Sequence, residues 1–219
     1  MDHVDGLLRI ARDLELRGEL GSPLGAFCHQ FRNRLNSLKL GIYLAKRQAA
    51  GELAQSWETL ERDYLAIEDR LDRIQLVCRV AHAIPVGIGL DLLFEDRSPS
   101  WTEALQRGGA HLTLTPPTSG CPTRVDIERI GSALDDLVLW RSAARSGHRE
   151  VRVEWDHTAD RTTIRWSESL LASEPVAADR AEPWRTWTLP ILARLMADHR
   201  GTLTVSEGPT WELTLQWPA

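Results

Sequence analysis

Several features are scarce in this 219-residue sequence, and each scarcity excludes a class of protein. Three cysteines, Cys28, Cys78 and Cys121, are too few and too widely separated for a disulfide framework or a zinc site. No apolar run approaches the roughly 18 residues of a membrane-spanning helix. The acidic, mixed N-terminus is unlike a signal peptide. We therefore expect a reduced cytoplasmic protein that does not contact a membrane.

Positive charge is also limited. The formal net charge is −5, and nucleic acids require a basic surface, so nucleic acid is not expected as the main partner. The basic residues are almost all arginine, because Lys39 and Lys46 are the only lysines. A mechanism that depends on a lysine is therefore not expected either.

The first part of the chain predicts two long helices. From residue 22 to 50 and again from 52 to 83, apolar residues recur at spacings of three and four, the pattern of one helical face. Ser22 as N-cap and Pro23 in the first turn are a favourable start for the first helix. Gly51 separates the two helices. The apolar stripes consist of Leu24, Phe27, Phe31, Leu35, Leu38, Ile42, Leu53, Trp57, Leu60, Tyr64, Ile67, Leu71, Ile74 and Cys78.

The rest of the chain mixes short strands with helices. Alternating β-branched or aromatic residues predict strands, and longer periodic segments between them predict helices. This mixture predicts an α/β sandwich, so the whole chain is of the α+β class. We place the boundary between a helical domain, residues 1–86, and the sandwich, residues 87–219. The predicted strands are 111–115, 151–155, 162–166, 203–206 and 211–216, and the predicted helices are 100–107, 125–145 and 188–199.

A hairpin of two helices cannot bury both of its apolar stripes by itself. A second copy of the same hairpin would complete the core, so we expect a homodimer held together by a four-helix bundle. The alternative is that the stripe packs against the C-terminal domain. Helices of about 30 residues would extend beyond a domain of this size, which favours the dimer.

The outer face of the first helix carries an unusual row of residues. At about 100° per residue, His29 points roughly 140° away from the core direction, and Asn33, Asn36 and Leu40 share its face. Leu40 is apolar where a solvated face usually carries a charge. An isolated histidine on such a face is ordinarily a solvated side chain, but this row is suited to docking a partner over an exposed imidazole.

Residues 27–36 resemble the phosphoacceptor box of sensor histidine kinases. In that family the pattern reads His, acid, apolar residue, Arg, Asn or Thr, Pro, Leu. Gln30 replaces the acid and Arg34 replaces the proline. Residues 71–74 resemble the family's partner helix. The positions that match the box are His29, Phe31, Arg32, Asn33 and Leu35.

The C-terminal part is similar to the ATP-binding domain of the same kinases in its framework only. Residues 189–205 and 211–218 look like the last helix and strands of that domain. The glycines of its phosphate loops are absent, since residues 166–188 contain no glycine, and glycines let backbone amides approach phosphates. The position of the Mg²⁺-binding asparagine falls near Trp140. Glu168 could receive an adenine amino group, but it has neither a phosphate cradle nor a metal ligand beside it.

We therefore expect no cofactor and no metal in this domain. Tryptophan side chains would fill the space that a nucleotide takes, or alternatively form an aromatic surface for a protein partner. The residues concerned are Trp140, Trp166, Trp184 and Trp187.

The resemblance implies a histidine phosphotransferase with a degenerate ATP-binding domain. His29 would carry the phosphoryl group and Asn33 would assist it, between response-regulator receiver domains that supply their own Mg²⁺. Gln30 cannot accept a proton, so autophosphorylation is not expected. The side chains expected to dock the receiver are Gln30, Arg32, Asn36 and Leu40.

Two other functions use the same face. A non-catalytic scaffold could bind a receiver or a kinase there without carrying phosphate. A receiver phosphatase could use the Asn33 amide, one turn after His29, to orient water on the receiver's phosphoaspartate.

Overall fold

The computed structural model of the chain describes residues 8–9, 11–48, 54–78, 86–118, 120–143, 149–170, 183–206, 208 and 210–219. These residues divide into two compact units. One is Arg9–Val80, and the other contains Ala81–Ala219. Among the described residues, no helix has both the length and the apolar character needed to cross a membrane.

The first unit consists of two antiparallel helices, α1 (Leu14–Gln48) and α2 (Ala54–Cys78). Opposite charges connect them at two levels: Lys46 Nζ donates to Glu61 Oε2 at 3.1 Å, and Arg32 forms an ion pair with Asp72. A small apolar core lies along the same helix–helix contact. Its members are Cys28, Leu35, Tyr64 and Leu71, with Ile74 packed against them.

Helix α1 begins earlier than the sequence predicts. The helix passes through Pro23, so the predicted start at Ser22 is wrong. A proline inside a helix removes only one backbone donor, and the Leu, Glu and Arg residues that precede it favour the helix. The second predicted helix is present as α2, and its predicted ends at 52–53 and 79–83 lie outside the described residues.

The second unit is the predicted mixture of helices and strands. Its five-stranded sheet has the order β2-β4-β5-β7-β6, in which β2 and β4 are parallel and the other neighbours are antiparallel. Strands β1 and β3 form a separate antiparallel pair. Helix α4 packs against both α3 and α5. The elements are β1 (Val86–Gly89), α3 (Leu90–Arg107), β2 (Ala110–Thr115), β3 (Pro122–Val125), α4 (Ile127–Ala143), β4 (Arg149–His157), β5 (Arg161–Leu170), α5 (Pro183–Asp198), β6 (Thr202–Ser206) and β7 (Thr210–Pro218).

Helix α3 also begins earlier than predicted, and again it passes through a proline. Pro99 has no N–H to donate to the carbonyl of Glu95, four residues before it. The Ser98 hydroxyl donates to that carbonyl oxygen at 3.2 Å. A neighbouring side chain thus satisfies the acceptor that the proline cannot, which lets the helix extend ten residues before the predicted start at 100. The β1–β3 pair was not predicted either.

Candidate functional site

The candidate site begins with the imidazole of His29, which is exposed to solvent on α1. One turn later, the Asn33 side chain places Nδ2 3.4 Å from His29 Nε2. An amide NH₂ group only donates, so this contact is a hydrogen bond to Nε2 in the ring tautomer that carries its proton on Nδ1. The Asn33 amide therefore lies next to Nε2 on the exposed face of α1 and turns aside when the Nε2 lone pair reacts.

The predicted outer face is present along α1. Gln30, Asn36 and Leu40 are all exposed, and Leu40 keeps 58% of its accessible surface. Tyr43 and Leu44, which were not predicted as part of this face, are 57% and 49% exposed. Helical spacing places them beside Leu40, so the same angular argument carried one turn further would have found them. The result is a face with polar groups around His29 and an apolar end.

Arg32 has a more specific environment than the other predicted docking residues. Its guanidinium forms an ion pair with Asp72 of α2 and donates to Gln75 Oε1 at 3.2 Å. The side chains of Arg32 and Asp72 keep 38% and 54% of their exposure. Arg32 therefore belongs to the helix that carries His29, but its guanidinium contacts side chains of α2.

The part of α1 that carries His29 has an excess of positively charged residues. Between residues 20 and 51 the sequence has five Lys or Arg and no Asp or Glu. Gln30, beside His29, cannot act as a base. A proton acceptor for autophosphorylation is therefore missing from α1 around His29, whereas an incoming anionic group would meet favourable charge.

A second face of the helix pair is apolar and exposed. Phe27, Phe31 and Leu38, which belong to the predicted apolar stripe, are 56%, 36% and 49% exposed in the single chain. The contact with α2 is centred on Cys28 and Leu35, which leaves these three residues on its flank. The Phe27 and Phe31 rings stack with centroids 5.8 Å apart. On α2, Leu60 and Ile67 are exposed as well.

In the second unit, Glu168 is buried and fully engaged by the protein's own donors. Arg141 donates to both of its carboxylate oxygens, at 2.7 and 2.8 Å. Arg149 Nη1 donates to Oε2 at 2.9 Å, and Trp166 Nε1 donates to Oε1 at 2.8 Å. The carboxylate that the resemblance would assign to an adenine amino group thus already holds four hydrogen bonds.

Aromatic rings enclose this ion cluster. Trp140 lies edge-on to Trp211, and the Arg141 guanidinium lies 4.3 Å from the Trp211 ring centroid. Trp140 and Trp166 are both buried, as expected for side chains that fill space. Trp187 is half-buried. The side chain of Trp184 and residues 171–182 lie outside the described part of the chain.

The thiol of Cys121 belongs to the core of the second unit. Cys121 is buried, and burial beside Asp91 and Asp156 raises the pKa of its thiol to about 11, which makes it unreactive. In the described part of the chain, no group of three or more His, Cys, Asp or Glu is placed to hold a metal ion.

Comparison with known protein families finds no matching family, and comparison with curated proteins finds no match. Solved structures give clear similarities of fold. The Acinetobacter baumannii histidine kinase AdeS superimposes with a TM-score of 0.59 at 11% identity, over 87% of this chain and 97% of AdeS. Full-length ShkA, in complex with AMPPNP, gives 0.62 at 16% identity over 90% of this chain, which spans just under half (46%) of ShkA.

A third similar structure is the histidine kinase ThkA in complex with the response regulator protein TrrA. It gives a TM-score of 0.59 at 12% identity, over 92% of this chain and 64% of that chain. At these identities the similarity concerns the fold and does not carry over a function. The chain described here therefore shares the fold of histidine kinases.

Proposed function

We propose that this protein is a homodimeric histidine phosphotransferase of a two-component system. His29 relays a phosphoryl group between response-regulator receiver domains, and the protein has no ATP-dependent autophosphorylation of its own. The observation that carries the proposal is the exposed imidazole of His29, whose Nε2 lies 3.4 Å from the Asn33 amide nitrogen. The fold similarity to histidine kinases, one of them solved with a response regulator, supports this setting.

The proposed reaction is a displacement at phosphorus. The Nε2 lone pair of His29 attacks the phosphoryl group of the receiver's phosphoaspartate, and the P–O bond to that aspartate breaks. The aspartate leaves as a carboxylate, and the phosphorylated ring carries a positive charge until water takes its Nδ1 proton. The reverse reaction passes the group to a second receiver. The receiver's own Mg²⁺ stabilises charge in both directions.

The nucleotide cleft of the kinase fold is closed in this protein, according to the same proposal. Glu168 is occupied by Arg141, Arg149 and Trp166, so it has no free lone pair directed at an adenine. Trp140 stands where the resemblance expects a Mg²⁺-binding asparagine, and indole does not ligate Mg²⁺. The C-terminal unit, within residues 87–219, would then serve as a folded remnant without kinase activity.

The docking face is the row on α1 that surrounds His29. Gln30, Asn36 and Leu40 are exposed there, and the receiver would cover Leu40 while the imidazole enters its acidic site. The positive charge of α1 favours that approach. Leu40→Arg should therefore weaken receiver binding while leaving His29 chemically intact.

The dimer is proposed on the apolar flank of the helix pair. Phe27, Phe31 and Leu38 on α1, with Leu60 and Ile67 on α2, expose an apolar surface on helices that a second pair would cover. His29 lies well away from this flank around α1, so a four-helix bundle would leave the imidazole accessible.

A transfer experiment tests the function. The purified protein is mixed with a receiver that carries labelled phosphate, and label that is acid-labile and stable to base is measured on each chain. We expect the wild-type protein and His111→Ala, which alters another exposed histidine, to take up label. His29→Ala should take up none. Absence of label on the wild type, or retention of label by His29→Ala, would refute the relay.

The phosphatase is the second candidate, because the Asn33 amide is exposed at the same site. It predicts faster loss of phosphate from the receiver that persists in His29→Ala and is lost in Asn33→Ala. The relay predicts that His29→Ala abolishes any effect on the receiver.

A further inference from the structure

Arg32 lies between two positions where its guanidinium can bind an anion: the Asp72 carboxylate and a phosphoryl group on His29. It lies three residues after His29 on α1, so the two side chains are neighbours on one face, with Cβ atoms about 5–6 Å apart. In the present structure its guanidinium is turned towards α2, where it contacts Asp72 and Gln75. Between residues 25 and 33, Arg32 is the only cationic side chain.

The contact with α2 is weakly held. Both members of the Arg32–Asp72 pair remain partly exposed, at 38% and 54%, and ion pairs in contact with water contribute little. Gln75 adds one neutral acceptor. The sequence has no Asp or Glu between residues 20 and 51, so no acidic side chain of α1 within two turns of His29 competes for the guanidinium.

Phosphorylation of His29 would change this balance. A phosphoryl group brings nearly two negative charges and three acceptor oxygens, and a planar guanidinium can bind two of those oxygens at once. Such bonds are stronger than a single exposed carboxylate contact. The long arginine side chain allows the guanidinium to turn from α2 to the face of His29.

We propose that Arg32 is a phosphoryl-binding residue that exchanges partners when His29 is phosphorylated. It leaves Asp72 and Gln75 and binds the phosphoryl oxygens on Nε2, and Asp72 competes for it in the unphosphorylated state. This inference rests on the proposed phosphorylation of His29. Its consequence is that Arg32 and Asp72 affect the phosphorylated state in opposite directions.

A small-molecule donor tests the exchange without a receiver. Phosphoramidate transfers its phosphoryl group when the lone pair of His29 Nε2 attacks phosphorus; the P–N bond of the donor breaks and ammonia leaves. Forward transfer rates, and reverse rates with added ammonia, are followed by ³¹P NMR. Their ratio gives the equilibrium constant for phosphohistidine formation, and His29→Ala identifies the signal.

The decisive comparison is between two variants that break the same ion pair. Arg32→Gln should lower the equilibrium constant about tenfold, because the phosphoryl group loses its charged partner. Asp72→Asn should raise it about two- to threefold, because the competing carboxylate is gone. Asp69→Asn, which alters the carboxylate paired with Arg73 on α2, is the matched control and should leave the constant unchanged.

A purely structural ion pair predicts a different result. Equal effects of the same sign in Arg32→Gln and Asp72→Asn, or no effect of Arg32→Gln, would overturn the exchange. Arg32→Lys keeps the charge without the two-pronged geometry and should fall between wild type and Arg32→Gln, which provides a second test if Arg32→Gln folds poorly. Wild-type protein that takes no phosphate on His29 from phosphoramidate would also overturn the proposal. Loading by phosphoramidate combined with no transfer from a receiver would refute the relay alone.

Discussion

At the scale of single residues, the buried carboxylate of Glu168 is part of the core of its unit. Two arginines and an indole N–H satisfy it from inside the protein. A buried charge with that many partners is costly to expose, since each partner would lose its counterpart. The residue that could have received a ligand is thereby built into the core.

Glu168→Gln should destabilise the second unit strongly. The change leaves Arg141 and Arg149 buried without their carboxylate, and breaking such a pair costs about 3–5 kcal/mol. Denaturant unfolding followed by tryptophan fluorescence measures the loss. Glu150→Gln, at a partly exposed pair with Arg152, is the control and should change stability by less than about 1 kcal/mol. Equal stability of the two variants would contradict a structural role for Glu168.

His199 gives the second unit a dependence on pH. Its Nε2 accepts a hydrogen bond from the backbone N–H of Asp126, at the start of α4. Burial lowers the pKa of His199 below its usual 6.5, with Arg129 acting in the same direction and Asp126 and Asp198 opposing it. The unfolded chain therefore binds the proton first, and stability is lost as the pH falls below about 6.5.

We expect His199→Gln to flatten this dependence. Glutamine can still accept a hydrogen bond but does not titrate between about pH 7 and pH 5. Melting temperatures of wild type and variant across that range provide the measurement. His111→Gln, at an exposed histidine, should keep the wild-type slope. An unchanged slope in His199→Gln would show that another group is responsible.

At the scale of elements, the helix starts near proline residues could not be predicted from the sequence, whereas the strands of the large sheet could. The strands of the large sheet were predicted from alternation, because β4 and β7 bury every second side chain. The starts of α1 and α3 were not, because Pro23 and Pro99 lie inside these helices. Only the folded chain shows that Ser98 satisfies the carbonyl that Pro99 leaves without a donor.

Pro23→Ala should stabilise the helix pair. Restoring the missing N–H to a helix interior should raise the free energy of unfolding by about 1–3 kcal/mol. Circular dichroism during thermal unfolding monitors the change. Pro116→Ala, at an exposed position after β2, lies outside a helix and should have little effect. A loss of stability in Pro23→Ala would instead indicate that the helix begins at the proline.

Some residues of the candidate site could likewise be predicted from the sequence, and others could not. His29, Asn33 and Leu40 could be assigned to one exposed face because helical geometry is periodic. The Arg32–Asp72 contact could not be predicted, since it depends on how α2 aligns with α1. The same is true of Phe27 and Phe31, which lie beside the contact with α2 rather than within it.

At the scale of the whole molecule, the exposed apolar flank predicts self-association. Phe31→Glu places a charge on that flank and should convert the dimer to a monomer, because a buried charge without a partner is unfavourable. Size-exclusion chromatography with light scattering gives the mass. Leu40→Glu carries the same change on the His29 face and should remain dimeric. A wild-type protein of monomeric mass would remove the four-helix bundle.

In the proposed relay, phosphate reaches His29 from other proteins and not from ATP. One measurement compares the two sources directly: the same purified protein is incubated in parallel with a labelled phosphoreceiver and with labelled ATP and Mg²⁺. We predict acid-labile label on His29 from the receiver and none from ATP. Label from ATP, or label from neither donor, would contradict the account.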